Sequence, residues 1–171
     1  MMQLYRHTVM SLEIIRLEDR FSYLIHRASA RIAQIGNFHF QQQDLNHYSA
    51  RMLVLLLQHG RLRTGELVDL MVLPQSTIST QLAALHKRRL ITRRRSRQDN
   101  RAVIVSLTPT GEVVAKDCDQ LSRIVQEELA KEMSDAEYSA GCAFLTKVEE
   151  RLRKMEGRKL YDFHASSVLA K

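Results

Sequence analysis

The stretch LPQSTISTQLAALHKRRLITRRRSRQDNRAVIVSL, Leu73 to Leu107, decides how the rest of the chain is read. At 100° per residue, Ile78, Leu82 and Leu85 fall on one narrow face, the pattern of a short helix docked on a small core. Pro74 stands at the expected first helical position, where its missing N–H costs nothing. The opposite face carries Ser76, Thr80, Ala83 and Lys87, with Thr77 and Ala84 on its shoulder. These side chains are short, uncharged or cationic. They let a helix backbone approach base edges, and the hydroxyls can donate or accept there. After the helix, Arg89 to Arg101 leads into Ala102–Leu107, which is β-branched and apolar enough for a strand, and the polar run Ser96–Asn100 is the expected turn of a hairpin. Between Lys87 and Arg101 there are eight Lys or Arg against one acid, Asp99. Such a cluster repels itself in isolation and displaces counterions beside a phosphate backbone.

Composition locates the charge. The chain has 171 residues, 44% hydrophobic and 26% charged, with a net charge of +7. This suits one domain, or one domain with extensions. Residues 60–110 hold ten Lys/Arg and three acids, which accounts for the whole excess, because the remainder balances at sixteen of each sign. The basicity is therefore a patch, and a patch points to a polyanionic partner. Cys118 and Cys142 lie 24 apart with no Cys-x-x-Cys, which fits neither a disulfide framework nor a zinc finger. No apolar run approaches the roughly 18 residues of a spanning helix, and the first residues lack the apolar stretch of a signal peptide. The expected setting is the cytoplasm, with no membrane partner.

The elements on either side follow in order. Residues 1–10 are expected to be poorly ordered. From about Ser11 to Ile35, Leu17, Phe21, Leu24, Ala28, Ile32 and Ile35 recur at helical spacing, and Gly36–Asp44 reads as a loop. Asn46 can cap a second helix, whose Met52, Leu53, Leu55, Leu56 and Leu57 make it central and which Gly60 ends. Arg61–Arg63 is short enough to join the hairpin as a third strand. Thr64 caps a helix running to Met71, so that 64–71 supports and 74–88 reads. Thr108-Pro109 opens a helix to about Met133, and Ser134-x-x-Glu137 is a capping box for a last helix to about Glu156. Gly141, Leu145, Val148, Leu152 and Met155 step along that helix as a packing seam. Gly157–Lys171 has no settled pattern.

The fold class expected is mainly α with a small β-wing. The organisation is an N-terminal dimerisation helix and loop (1–44), a winged helix-turn-helix (45–108, with the helix pair about 64–88 and the wing about 90–107), C-terminal dimerisation helices (109–157) and a tail (158–171). A segment of about 50 residues cannot cover the apolar stripes of the first and last two helices, so a symmetric dimer built from the chain ends is the economical solution. Its two reading helices would lie about 34 Å apart, one turn of DNA, on a pseudo-palindromic site.

The segment Leu67–Leu107 resembles the MarR family of winged helix-turn-helix transcription regulators. The likeness rests on Gln75-Ser76-Thr77-Ile78-Ser79, the Lys87-Arg88-Arg89-Leu90-Ile91 exit, and Asp99-x-Arg101 followed by Val-Ser-Leu-Thr. It implies a reading helix in the major groove, a hairpin in the adjacent minor groove and an Asp that steadies the Arg of the wing tip. It also implies a homodimeric repressor released by a small, often aromatic or anionic effector in a crevice between the dimer helices and the winged core. One departure is Thr80, where members often carry Arg, so no guanidinium stands there to read a guanine. The cysteine near the start of the first helix by which some relatives sense oxidants is absent as well.

The expected DNA contacts are Ser76, Thr77, Thr80 and Gln81 on bases or nearby phosphates, with Gln81 partly toward the core, and Gln75 on phosphate. Lys87 and Arg88 are expected on phosphates, and Arg94, Arg95 and Arg97 along the wing. Asp99 pairs with Arg101 or a neighbouring Arg, or is a simple turn residue. Arg63 and Thr64 add backbone contacts. Seven scattered histidines show no zinc-site spacing. No Gly-rich phosphate loop, Gly-x-Ser-x-Gly or carboxylate–histidine grouping is present, so neither catalysis nor a cofactor is expected. Two alternatives stay open: a sequence-tolerant architectural DNA- or RNA-binding protein, and a redox-sensing regulator using Cys118 or Cys142.

Overall fold

A computed structural model describes residues 16–96 and 102–157. The first ten residues, the tail 158–171, and Arg97, Asp99 and Arg101 of the wing tip lie outside them. The chain divides into two units, one ending at Gln120 and one beginning at Leu121.

In the first unit, α1 (Phe21–Phe40) is followed by a 3-10 turn at Gln41–Gln43, then α2 (His47–His59), β1 (Arg61–Arg63), α3 (Thr64–Met71), α4 (Gln75–Lys87), β2 (Ile91–Arg95), β3 (Val103–Leu107) and the start of α5 (Pro109–Ala130). The sheet has the order β1-β3-β2, both pairs antiparallel, with Leu62 opposite Val105 and Arg93 opposite Val105. Arg61–Arg63 thus joins the hairpin as the third strand. The core is formed by Met52, Leu53 and Leu56 of α2, Leu67 of α3, Ile78, Leu82 and Leu85 of α4, and Ile91, Val105 and Cys118. Burying each such side chain contributes about 1.5–3 kcal/mol.

Local chemistry fixes the element ends. Asn46 caps α2, its Oδ1 accepting from Ser49 N at 2.9 Å. Gly60, at φ 78°, closes α2 through its N–H to Leu56 O. Thr108 Oγ1 accepts from Gly111 N at 3.0 Å to cap α5. Val72, in the turn between α3 and α4, sits at φ 50° and is exposed. A β-branched residue pays about 1 kcal/mol or more for that conformation. Burial of Leu67 on one side and Ile78 on the other enforces it.

Three expectations are corrected. The first helix does not stop at Ile35: it runs on through Gly36 to Phe40, which is buried. Gly36 serves packing rather than termination, because a Cβ there would stand 2.7 Å from His47 Nδ1. Thr64 is the first residue of α3 and its hydroxyl is not a cap; it donates across to Val103 O at 3.3 Å. The cap is instead the Glu66 carboxylate, which accepts from Arg63 N at 2.6 Å. Pro74 stands one residue earlier than expected, at the N-cap of α4.

His47 carries a pH dependence. Its backbone N–H donates to Asn37 Oδ1 at 2.8 Å. Burial first, and the Arg51 charge second, hold its imidazole pKa below the usual 6.5. The neutral ring is therefore the form that the fold prefers. Stability is full above pH 6.5 and falls as the pH drops through the lower folded value, where the unfolded chain binds the extra proton more readily. Thermal unfolding should show a Tm that declines between about pH 7 and pH 5, and His47→Gln should flatten the part of that decline due to this ring. An unchanged profile in the variant would contradict the assignment.

The second unit contains the end of α5 and α6 (Asp135–Met155). Ser134 Oγ accepts from Glu137 N at 3.3 Å while Glu137 Oε2 accepts from Ser134 N at 2.8 Å, which forms the expected capping box. Donation to that carboxylate from Ser134 Oγ at 2.7 Å, and then from Ser134 N, also holds the Glu137 carboxyl below its usual range. Gln126 Nε2 donates to Tyr138 Oη at 2.8 Å and so ties α5 to α6. Along α6, Arg153 pairs with Glu149 at 2.8 Å. No α6 residue is buried; Phe144, Leu145 and Leu152 are more than half exposed, at 52%, 51% and 59%.

Candidate nucleic-acid interface

The 3.6-residue period of α4 separates its two jobs. Ile78, Leu82 and Leu85 are buried, while Gln75, Ser76, Thr80, Ala83 and Lys87 are exposed and Thr77 is half-buried. The hydroxyl of Thr80 donates to Ser76 O at 3.0 Å. Its hydrogen is thus engaged, and what it presents outward is an acceptor lone pair and a methyl group. An adenine or cytosine amino group can meet the first, a thymine methyl the second. The helix ends on Arg89 at φ 57°, with Leu90 N donating to Leu85 O at 3.1 Å. That is a left-handed cap of the kind glycine usually forms, and it turns the chain into β2.

The register of the sheet sorts the wing arginines. Arg93, opposite Val105, and Arg95, opposite Val103, share the face on which Leu62 is buried. Arg94, opposite Ile104, shares the other face with Arg63, and Arg61 lies on that face too. On this outer face Thr92 and Ser106 hydroxyls bond each other at 2.8 Å. All three wing arginines are exposed. From Gln75 to Leu107 the only acidic side chain in the sequence is Asp99. An open groove of about 490 Å³ runs between the starts of α3 and α4 and the sheet, with Arg63, Thr64, Gln75, Ser79 and Arg93 along it. Glu66 and Asp69 also line this groove, so its charge is balanced.

The structure brings Arg63, Thr64 and Gln75 to this groove, and Ser76, Thr80 and Lys87 to one exposed face. It gives two expected contacts another partner. Gln81 is half-buried, and its Oε1 accepts from Ser49 Oγ at 2.6 Å and Asn46 Nδ2 at 3.0 Å. Arg88 Nη1 donates to Asp44 O at 2.7 Å. Sequence periodicity could place Gln81 toward the core but could not find partners 35 and 32 positions away. Arg61, not singled out from the sequence, joins the basic sheet face; the alternation Arg-Leu-Arg was the available signal.

The remaining chemistry is sparse. Cys118 is 1% exposed, and burial, then the Asp117 charge, push its thiol up to about 11. At neutral pH it is protonated and enclosed, the opposite of a reactive cysteine. Cys142 is exposed, and its bond with Tyr138 raises the phenol. Among the described residues no group of His, Cys, Asp or Glu could hold a metal ion, and no helix is long and apolar enough to cross a membrane.

Comparison with known proteins agrees with this geometry. Residues 45–103 match the MarR family. The organic hydroperoxide resistance transcriptional regulator of Bacillus subtilis is 26% identical over 97 residues, 57% of this chain and 66% of that protein. In fold, the chain is similar to MepR of S. aureus in its DNA complex, with TM-score 0.72, 24% identity, and coverage of 78% of this chain and 98% of the other. It is similar also to Bordetella bronchiseptica BpsR, whose DNA binding is regulated by 6-hydroxynicotinic acid, with TM-score 0.71, 21% identity, and coverage of 79% and 96%.

Proposed function

We propose that this chain is a MarR-family DNA-binding transcription regulator that works as a homodimeric repressor on a pseudo-palindromic operator, released by a small aromatic or anionic ligand. The observation that carries the reading is the adjacency of an uncharged-polar α4 face and a wing with three exposed arginines in sequence. The first supplies base contacts and the second neutralises phosphates. Ser76, Thr77 and Thr80 are the base-facing side chains, with Gln75, Lys87, Arg63 and Thr64 on the backbone. Arg94 and Arg95, with Arg97, Asp99 and Arg101 beyond them, form the wing contact.

Dimerisation is supported by apolar surface that one copy leaves in water. On the 3-10 turn Leu17–Asp19 and on α1, Leu17, Phe21, Leu24, Ile35 and Phe38 are exposed, and on α6 Phe144, Leu145 and Leu152. Ligand release is supported by the regulation of BpsR by 6-hydroxynicotinic acid. The ligand acts by favouring a spacing of the two reading helices that no longer matches successive major grooves. Light scattering with duplex titration at low ionic strength tests the assembly: a dimer that binds duplex DNA supports the reading, and a monomer that ignores every duplex overturns it. Screening anionic aromatic metabolites for release of that duplex tests the ligand; if none releases it, that part is lost.

Thr80→Ala separates reading from positioning. Affinity should change unequally across base substitutions in the site, by a factor of roughly five or more at the base pair that Thr80 meets. A uniform loss at all sequences, measured by competition titration, would show that Thr80 only positions the helix.

A further inference from the structure

We propose that Gln81 and Arg88 are positioning residues: two polar clips that fix α4 to the segment Asp44–Asn46 and so set which way its reading face points. Their role rests on the DNA-binding reading. Gln81 Oε1 accepts from Asn46 Nδ2 at 3.0 Å and from the buried Ser49 Oγ at 2.6 Å. Arg88 Nη1 donates to Asp44 O at 2.7 Å, and Asp44 itself is held at φ 50° just beyond the 3-10 turn that ends α1. Asn46 is also the cap of α2.

The two clips lie seven positions apart, Gln81 within α4 and Arg88 at its C-cap. At 1.5 Å and 100° per residue they stand about 10.5 Å apart along the axis and within about 20° of one another around it. Two points so placed fix both the rotation of the helix and its slide. The apolar contacts of Ile78, Leu82 and Leu85 cannot do this alone, because burial is non-directional. A side chain on a helix of about 5–6 Å radius moves about 2 Å for a 20° turn. Hydrogen bonds to base edges span only about 2.7–3.2 Å and do not survive that displacement. Contacts from flexible arginines to phosphates do. The clips therefore govern discrimination between sequences rather than attraction to DNA. Because the clipped segment directly follows α1, a shift at the end of α1 reaches α4 through it.

The test uses the full chain, a duplex enriched from a random pool by the unaltered protein, and a random duplex of equal length. Asn46→Ser keeps an N-cap and removes the arm to Gln81. Gln81→Met keeps side-chain length without the acceptor. Each should lower the preference for the enriched duplex by at least about tenfold, with affinity for random duplex unchanged. Arg88→Ala should lower the same preference and leave the salt dependence unaltered, whereas loss of a phosphate contact would reduce its slope by about one. An unchanged preference, a proportional fall for both duplexes, or a reduced slope in Arg88→Ala overturns the inference. If Gln81→Met fails to fold, Asn46→Ser decides the matter alone. Unaltered protein that enriches no duplex overturns the DNA reading, and this inference with it.

Discussion

Gly111→Ala should cripple the first unit. A Cβ at this position would lie 1.8 Å from the carbonyl oxygen of Leu90 and 2.8 Å from its carbon. Those are backbone atoms, so no rotamer change relieves the collision. The same Leu90 carbonyl already accepts from Thr108 N at 3.0 Å and Thr108 Oγ1 at 3.2 Å, and Arg89 O accepts from that hydroxyl at 2.7 Å. The first turn of α5 is thus stitched to the exit of α4, and displacing it pulls on the start of β2 and on the left-handed cap at Arg89. Overpacking against backbone costs on the order of 3–5 kcal/mol, in the upper range for a single substitution. For a chain of this size that lowers Tm by roughly 10 °C or more. Gly65→Ala is the control, since nothing stands within 4 Å of its added methyl, and calorimetry should find it near neutral. A Gly111→Ala protein as stable as the parent would mean that α5 does not start where it is placed.

The second large effect is on DNA. On the proposed function, Arg93→Ala/Arg94→Ala/Arg95→Ala should lower affinity for every duplex by about 10²–10³ at moderate salt, because up to three charge-assisted bonds from the wing to phosphate would be lost. All three side chains are exposed, so thermal stability should hardly move. The slope of log affinity against log salt should fall by about 0.9 for each phosphate contact removed. The register makes the single variants informative. Arg93 and Arg95 share one face of the sheet and Arg94 the other, so if one face meets the duplex, Arg94→Ala will differ from Arg93→Ala and Arg95→Ala. Equal and negligible effects from all three would reduce the arginine run to a solvated surface.

What the sequence disclosed and what it hid follow from the range of the interactions. The buried face of α4, the extended stretch Arg61–Arg63, the Asn46 cap and the Ser134–Glu137 box are signals within a few residues, and each stands where local pattern or capping chemistry puts it. The continuation of α1 through Gly36 was hidden because a glycine that ends a helix and a glycine that admits a neighbour look alike until His47 is seen beside it. Thr64 had the composition of a cap, but its hydroxyl found Val103 O, 39 positions away. Gln81 had the composition of a base contact, and the partners that claim it belong to α2 and its cap. Local rules delimit the elements; the competition between local and distant partners for one polar atom is settled only by the fold. Arg97, Asp99 and Arg101, expected to shape the wing tip, lie outside the described residues.

Sequence-specific regulation requires α4 and the wing to act as one DNA-facing surface that dimerisation repeats. Competition titration of a duplex enriched from a random pool, against random duplex, tests this most directly. The predicted result is a preference of roughly 10³ or more for a pseudo-palindrome with half-site centres about 10–10.5 base pairs apart. Random duplex competing equally well would contradict it and leave a sequence-tolerant binder in its place.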